Sequence, residues 1–250
     1  MLELLTSEIN ESVMKMKKCR QMSDSFPLGA ILALAGGFLD AYTYICRGGV
    51  FANAETGNIV LMGLQLADGN FSASLRYLIP IVAFACGILA SELVKKKFKE
   101  SSLLHWRQIT VALEIVVLIA IAFVASTDKN NIFINSAVAF VSSLQVQSFR
   151  VISGISLTTT MCTGNLRSAT EHLFGAISRK DGDSLKKSAK YFAIIGFFII
   201  GAIIGAFITN MLDIKAAMIA AAILLLPFLL MFIDTDKMKK RAFKMQTERD

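Results

Sequence analysis

Residues 54–63 read "AETGNIVLMG", and the same Thr-Gly-Asn triplet returns at 163–165 inside "CTGNLRS", residues 162–168. Both triplets are polar, carry a glycine at a point where a helix can start, and interrupt chain that is otherwise strongly apolar. Of the 250 residues, 54% are hydrophobic and only 18% charged, with a mean hydropathy of +0.58. That exceeds the apolar share of a soluble domain and points to a bilayer. Windows nearly free of charge lie at 28–46, 75–94, 109–126, 131–149, 191–209 and 214–233, long enough to cross about 30 Å of hydrocarbon. Six spans are expected. Helices buried in a large soluble core are the alternative, but they rarely run this long with apolar residues on every side. Three prolines and no strand-like alternation agree with an all-helical chain. The acidic start lacks a short apolar core before Phe26, so the first span is expected to direct insertion rather than a cleaved leader.

Charge sets the expected orientation. Twenty of the 26 basic residues fall in four groups, 15–20, 95–107, 179–190 and 237–249. Basic loops are retained on the cytoplasmic side, so all four groups and both termini are placed there. The net charge of +7 is thereby accounted for by cytoplasmic loops and termini, and no nucleic-acid partner is expected. The two triplet segments cannot then be crossings, since a span at 56–67 would carry Lys95, Lys96, Lys97 and Lys99 outside. They are expected to be re-entrant. A helix over 56–67 would be about 18 Å long, roughly half the hydrocarbon thickness. Irregular backbone at that depth must be enclosed by protein or line a wet cavity, because lipid cannot satisfy its amides.

A shift of 107 residues superposes Thr56, Gly57 and Asn58 on Thr163, Gly164 and Asn165, and Asp40 on Gln147. With a further slip of seven, Tyr77 matches Tyr191, Phe84 matches Phe198 and Gly87 matches Gly201. Two copies of three spans each must face opposite ways, which makes them inverted repeats. Their half-helix N-termini would meet near the midplane with unpaired N–H groups and the positive ends of their dipoles. Thr56 and Thr163 would supply capping oxygens, Gly57 and Gly164 close backbone approach, and Asn58 and Asn165 both donors and acceptors. The competing explanation is that small residues merely let short helices pack closely.

Several other residues bear on that centre. Asp40, in "GGFLDAYTYI" (36–45), is an intramembrane carboxylate, read as a proton carrier, a cation ligand or an acceptor for the re-entrant backbone. Glu55 can reach the same place. Arg167 can neutralise either acid or hold an anion. Gln145, Gln147, Thr158, Thr159 and Thr160 offer neutral hydrogen-bonding groups for a small solute or for the second break itself. Glu114 and Glu92 are expected to snorkel or pair locally, and Gly201 and Gly205 to form a packing face, with a contact in a homo-oligomer as its other use. Leu2, Leu5, Ile9, Val13 and Met16 suit a helix lying on the inner leaflet. The four cysteines share no ligand spacing, and Glu171 and His172 are adjacent, so no metal, cofactor or enzymatic nucleophile set is expected.

The segments "GGFLDAYTYI", "VFANAETGNIVLMG" (50–63) and "TTTMCTGNL" (158–166) resemble the signature segments of the YoaK-like family of bacterial multi-pass membrane proteins, a domain of unknown function. The resemblance covers about residues 28–233, with Gly37, Asp40 and Ala41 matching the family's Gly-x-x-Asp-Ala element. It implies an inner or plasma membrane location and about six spans, and no activity. The whole reading is an all-α integral membrane protein with six transmembrane helices in two inverted three-helix repeats, 28–126 and 127–233, each with a short re-entrant triplet helix. A cytoplasmic amphipathic segment, 1–27, precedes them and a basic cytoplasmic tail, 234–250, follows. The expected activity is secondary transport of a small polar or ionic solute, with a passive channel or a non-transporting scaffold as alternatives. The pathway would be lined by Asp40, Thr56, Gly57, Asn58, Gln147, Thr160, Thr163, Gly164, Asn165 and Arg167.

Overall fold

The structure, a computed structural model, describes residues 25–98 and 106–247, with side chains for 25–97 and 106–232. The amphipathic N-terminal stripe, part of the second basic group and the side chains of the C-terminal tail lie outside those residues. The helices are α1 (Phe26–Cys46), α2 (Glu55–Ala67), α3 (Phe71–Phe98), α4 (Trp106–Ile121), α5 (Asp128–Ser148), α6 (Cys162–Arg179), α7 (Gly182–Leu212) and α8 (Ala216–Thr247). A 3-10 turn, Asp213–Lys215, joins the last two. The protein is an all-α membrane protein.

Three stretches are long and apolar enough to cross a bilayer: Phe26–Cys46, Phe71–Lys97 and Gly182–Phe232. The last contains both α7 and α8, back to back around the 3-10 turn. Two of the six windows read from the sequence fall short of that standard for physical reasons. As described, α4 has only 16 residues. α5 is diluted by Asn131, Asn135, Ser142, Ser143, Gln145 and Ser148, all of which it turns inward.

α1 and α5 form the interior. α1 is buried almost all round, from Leu28 to Thr43, and α5 buries twelve of its 21 residues. α7 packs along α1, and α3 packs along α5. Small residues make both crossings close. A Cβ on Gly201 would run into the Leu34 carbonyl of α1, and one on Gly87 into Ser143 and the Phe140 carbonyl of α5. One turn on from Gly201, a Cβ on Gly205 would lie 2.7 Å from the Phe38 oxygen. One turn on from Gly87, Ser91 instead donates to the Leu144 carbonyl at 3.5 Å. The Gly201/Gly205 face is thus occupied by α1 within the same chain.

The remaining pairs follow suit: α2 lies on α3 as α6 lies on α7, α4 meets α5 as α8 meets α1, and α4 meets α8. Exchanging α1–α4 for α5–α8 leaves this list of neighbours unchanged. One local difference was not foreseen. Where the first half has irregular chain from 47 to 54, the second has a two-stranded antiparallel hairpin, Val151–Ile152 with Ile155–Ser156. Its turn puts Ser153 and Gly154 at φ 56 and 74, the mirror-image turn that two-residue hairpins favour. α5 ends five residues short of the position equivalent to the end of α1, and the hairpin takes up that chain.

Candidate functional site

α1 ends at Arg47, whose backbone is followed by Gly48 and Gly49 at positive φ. The reversal sends the chain back along α1. The Asn53 amide donates to Asp40 Oδ1 at 2.7 Å, with the amides of Ala52 and Ala54 beside the same carboxylate, and Asn53 Nδ2 reaches the Gly36 carbonyl at 3.4 Å. Gly36 lies ten residues before Cys46, so the chain runs back about 15 Å along α1. α2 starts there.

The second break arrives at the same turn of α1. Thr160, which the 107-residue shift equates with Asn53, lies against Gly36, its Cγ2 2.5 Å from where a Cβ would be. Cys162, the first residue of α6, is within electrostatic reach of Asp40. Two interrupted segments and two helix N-termini therefore converge on Gly36–Asp40. A larger residue than glycine at 36 would push the second break away.

The triplets have the same internal geometry. Asn58 Oδ1 accepts from the Phe51 amide at 2.9 Å and its Nδ2 donates to the Phe51 carbonyl at 2.9 Å. Asn165 does the same to Thr158, accepting its amide at 3.3 Å and donating to its carbonyl at 2.5 Å. Each asparagine is buried and clamps the residue seven places earlier. Extended chain that has neither ladder nor water is thereby satisfied. Asn58 Nδ2 also lies 3.0 Å from Glu55 Oε2. The amide groups of both asparagines, expected to face a solute, are here engaged by backbone.

The threonines do not cap. The N-cap residues are Ala54 and Met161, neither with a side-chain cap, and Thr56 and Thr163 are exposed one turn-position inside. Gly57 lies against the Phe51 ring, itself stacked on Tyr44, whereas Gly164 faces open space. Gln147 does not join the centre. It donates from Nε2 to Glu92 Oε1 at 2.6 Å across the α3–α5 contact, and Glu92 also pairs with Lys95 at 3.9 Å. Thr159 and Thr160 are buried, with hydroxyls that have no protein partner.

Arg167 is exposed on α6 and, among the described residues, pairs with neither Asp40 nor Glu55. It helps line an open groove of about 700 Å³ with Thr163, Leu166, Thr170, Glu171 and Phe174. α6 buries only Asn165 and Ala169, and α2 only Asn58. Both uncovered faces carry large apolar side chains, Ile59, Val60, Leu64 and Leu66 on α2 and Leu166, Phe174 and Ile177 on α6, but α6 adds Arg167 and Glu171 among them. An apolar face suits lipid. A face bearing Arg167 and Glu171 needs water or protein over it. His172, on the other side of α6, stacks on Tyr191, ring centroids 5.9 Å apart.

Two residues carry more than the sequence suggested. Arg47 reads as a loop charge, but it is fully buried. Its guanidinium donates to the carbonyls of Ile121 and Val124 and to the Tyr42 hydroxyl, each at 2.9 Å. A cation there closes the C-terminal end of α4 and favours its dipole. Its position at the end of an apolar helix, just before two glycines, was the available signal. Glu114 neither snorkels nor pairs with a neighbour along its helix. It is fully buried and accepts from Ser142 of α5 at 3.4 Å.

A buried helical pair with broken segments meeting on it, wrapped by long apolar helices, defines a polytopic α-helical membrane protein. Residues 28–231 match the family described as "Protein of unknown function (DUF1275)", and the chain belongs to that family. It is similar to the "UPF0700 transmembrane protein YoaK" of Bacillus subtilis (strain 168), with 25% identity over 152 residues, 59% of this chain and 67% of the relative. No solved structure matches it.

Proposed function

We propose that this protein is a secondary carrier of a small polar or ionic solute, built from two inverted three-span repeats that rock against each other. The observation that carries the proposal is the meeting of both breaks at one turn of α1, with Asn53 on the Gly36 carbonyl and Thr160 on the Gly36 Cα. Paired broken helices that meet halfway through the membrane are the usual architecture of a carrier's binding site. Support for the repeat comes from the asparagine clamps and from a neighbour list unchanged by exchanging the halves.

Within this proposal the roles divide. Asp40, Asn58 and Asn165 position the breaks, since their polar atoms are engaged by backbone. Thr56, Thr160, Thr163, Gly164 and Arg167 are left for the solute, with Thr163 and Arg167 in the open groove on α6, and Gly57 lets the Phe51 ring approach. Gln147 ties α5 to α3 at the edge. The chain resides in the bacterial inner membrane with both termini cytoplasmic, does no covalent chemistry, and needs no partner beyond lipid and solute.

A second reading has its own observation. Asp40 is tied to the Asn53 amide rather than left free, as in a scaffold whose breaks are simply packed. Uptake into proteoliposomes separates the readings. A carrier gives saturable flux that Arg167→Ala or Gly164→Leu depresses; linear, fast flux means a pore; no flux across a broad solute panel leaves the scaffold. Cysteines placed at 97 and 187 label from the same side if the repeats are inverted and from opposite sides if they are not.

A further inference from the structure

The α4–α5 seam holds a buried acid that the site above does not use. Glu114 is 0% exposed. Ser142 Oγ donates to its Oε1 at 3.4 Å, and its Oε2 is buried with no partner among the described residues. No cation lies within ion-pair distance of it among the described residues. The flanking charges are remote: Arg107 lies seven residues earlier on α4, and Arg47 sits at its other end, against Ile121, seven residues later, each about 10 Å along the axis. α5 contributes no titratable group between Asp128 and Lys129 at its start and its end at Ser148, and α8 contributes none among 216–232. From α3, Glu92 and Lys95 lie at the Trp106 end, Lys95 Nζ 5.8 Å from that ring. Asp40 of α1 is engaged by the first break.

A bare carboxylate enclosed in this way, with one long hydrogen bond and no counter-ion, is costly, and a proton on the free oxygen is the smallest thing that removes the charge. The seam around it has direction. Toward Arg107, α5 presents Ser142, Gln145 and Ser148 at successive turns, each buried, and α4 presents Gln108; the Gln145 Nε2 has no partner, and Ser148 meets the Ser91 hydroxyl at 3.4 Å. Toward Arg47, the next turn of the seam is apolar, with Val138 and Ala139 of α5 and Leu118 of α4 buried; beyond it Ile121 and Ile134 lie beside Asn135, whose Nδ2 donates to the Arg47 carbonyl at 2.8 Å. Polar groups can relay a proton along the Arg107 half, whereas on the other side the apolar turn of Leu118, Val138 and Ala139 separates Glu114 from Asn135.

We propose that Glu114 is a proton-binding site, loaded and emptied through the polar half of the seam from the end of the molecule bearing Arg107. Its proton is the coupling ion of the carrier proposed above, and only this last clause rests on that reading. The step is Glu114 carboxylate plus hydronium giving the carboxylic acid and water, with nothing oxidised or reduced. The seam joins the last helix of one half to the first of the other, so charge on Glu114 bears directly on how the halves sit.

Infrared difference spectra of the purified protein in lipid nanodiscs, recorded across a pH step without any solute, test the site. A protonated-carboxyl stretch, shifted by deuterium, is expected in the wild type and in Asp40→Asn, absent in Glu114→Gln, and moved in frequency in Ser142→Ala. Persistence of the band in a folded Glu114→Gln, or its loss in Asp40→Asn alone, overturns the assignment; should Glu114→Gln not fold, an unmoved band in Ser142→Ala does so. Coupling is tested in proteoliposomes, where pH-gradient-driven accumulation should fall in Glu114→Gln to the level without a gradient. If flux is saturable but gradient dependence survives, coupling through Glu114 is refuted and the carrier stands. If no solute moves while the band still belongs to Glu114, the carrier falls and the proton site stands.

Discussion

Removing one asparagine clamp tests the construction of the centre. In Asn58→Ala, the Phe51 amide and carbonyl each lose a partner at 2.9 Å, at a depth where lipid offers none. A buried backbone group left unpaired costs about 1–3 kcal/mol, so the pair should cost about 2–6 kcal/mol. For a chain of this size, 1 kcal/mol moves the melting midpoint by roughly 2–4 °C, giving a fall on the order of 10 °C. Asn165→Ala should fall by a similar amount, because Thr158 loses the same two bonds. Thr56→Ala and Thr163→Ala, at exposed positions of the same triplets, should stay within about 0.5 kcal/mol of wild type. The assay is thermal unfolding in detergent, followed by the fraction remaining monodisperse. If Asn58→Ala melts with the wild type, or only one asparagine matters, the clamp argument fails and the side chains are free for a ligand after all.

Gly201→Val and Gly87→Val should each destabilise by about 1–3 kcal/mol or more, since both force apart helices in backbone contact; Gly164→Ala, facing open space, should instead gain roughly 0.5–1 kcal/mol in the same melt. Arg47→Met should cost about 1–3 kcal/mol for each of the Ile121 and Val124 carbonyls it leaves, and Arg47→Lys should not restore them, because an ammonium lacks the guanidinium fork. Asp181 caps α7, and the Ser184 hydroxyl at 2.6 Å and the Asp183 amide at 2.9 Å hold its carboxyl below the usual range. A depressed folded value means stabilisation present above the ordinary Asp range and lost as pH falls through that value. The melting difference between wild type and Asp181→Ala should therefore shrink in acid, as a pH series of melts would show.

The triplets and their spacing were legible because the same three letters recur 107 residues apart, and the short-helix boundaries because a glycine breaks an apolar run. α2 begins at Glu55 and ends at Ala67, one residue from the expected start. The role of Asn58 was not legible. An asparagine that clamps a residue seven places back has the same letters as one that faces a solute, and only the reversal at Gly48–Gly49 brings Phe51 to it. Gln147 shows the same limit. It is the positional partner of Asp40, yet α5 ends five residues early, so its side chain meets Glu92 rather than the second break.

Hydropathy, charge-free length and repeated letters follow from the order of residues along the chain, so the membrane class, the recurrence of the Thr-Gly-Asn triplet and the two polar breaks could be read from the sequence alone. Which polar atoms those breaks leave unspent is a question of packing. Burial of Arg47 and Glu114 and the shared contact of both breaks at Gly36 arise only when helices distant in sequence close on one another. The cost of an unpaired group at depth then decides which side chains serve the backbone and which remain for chemistry.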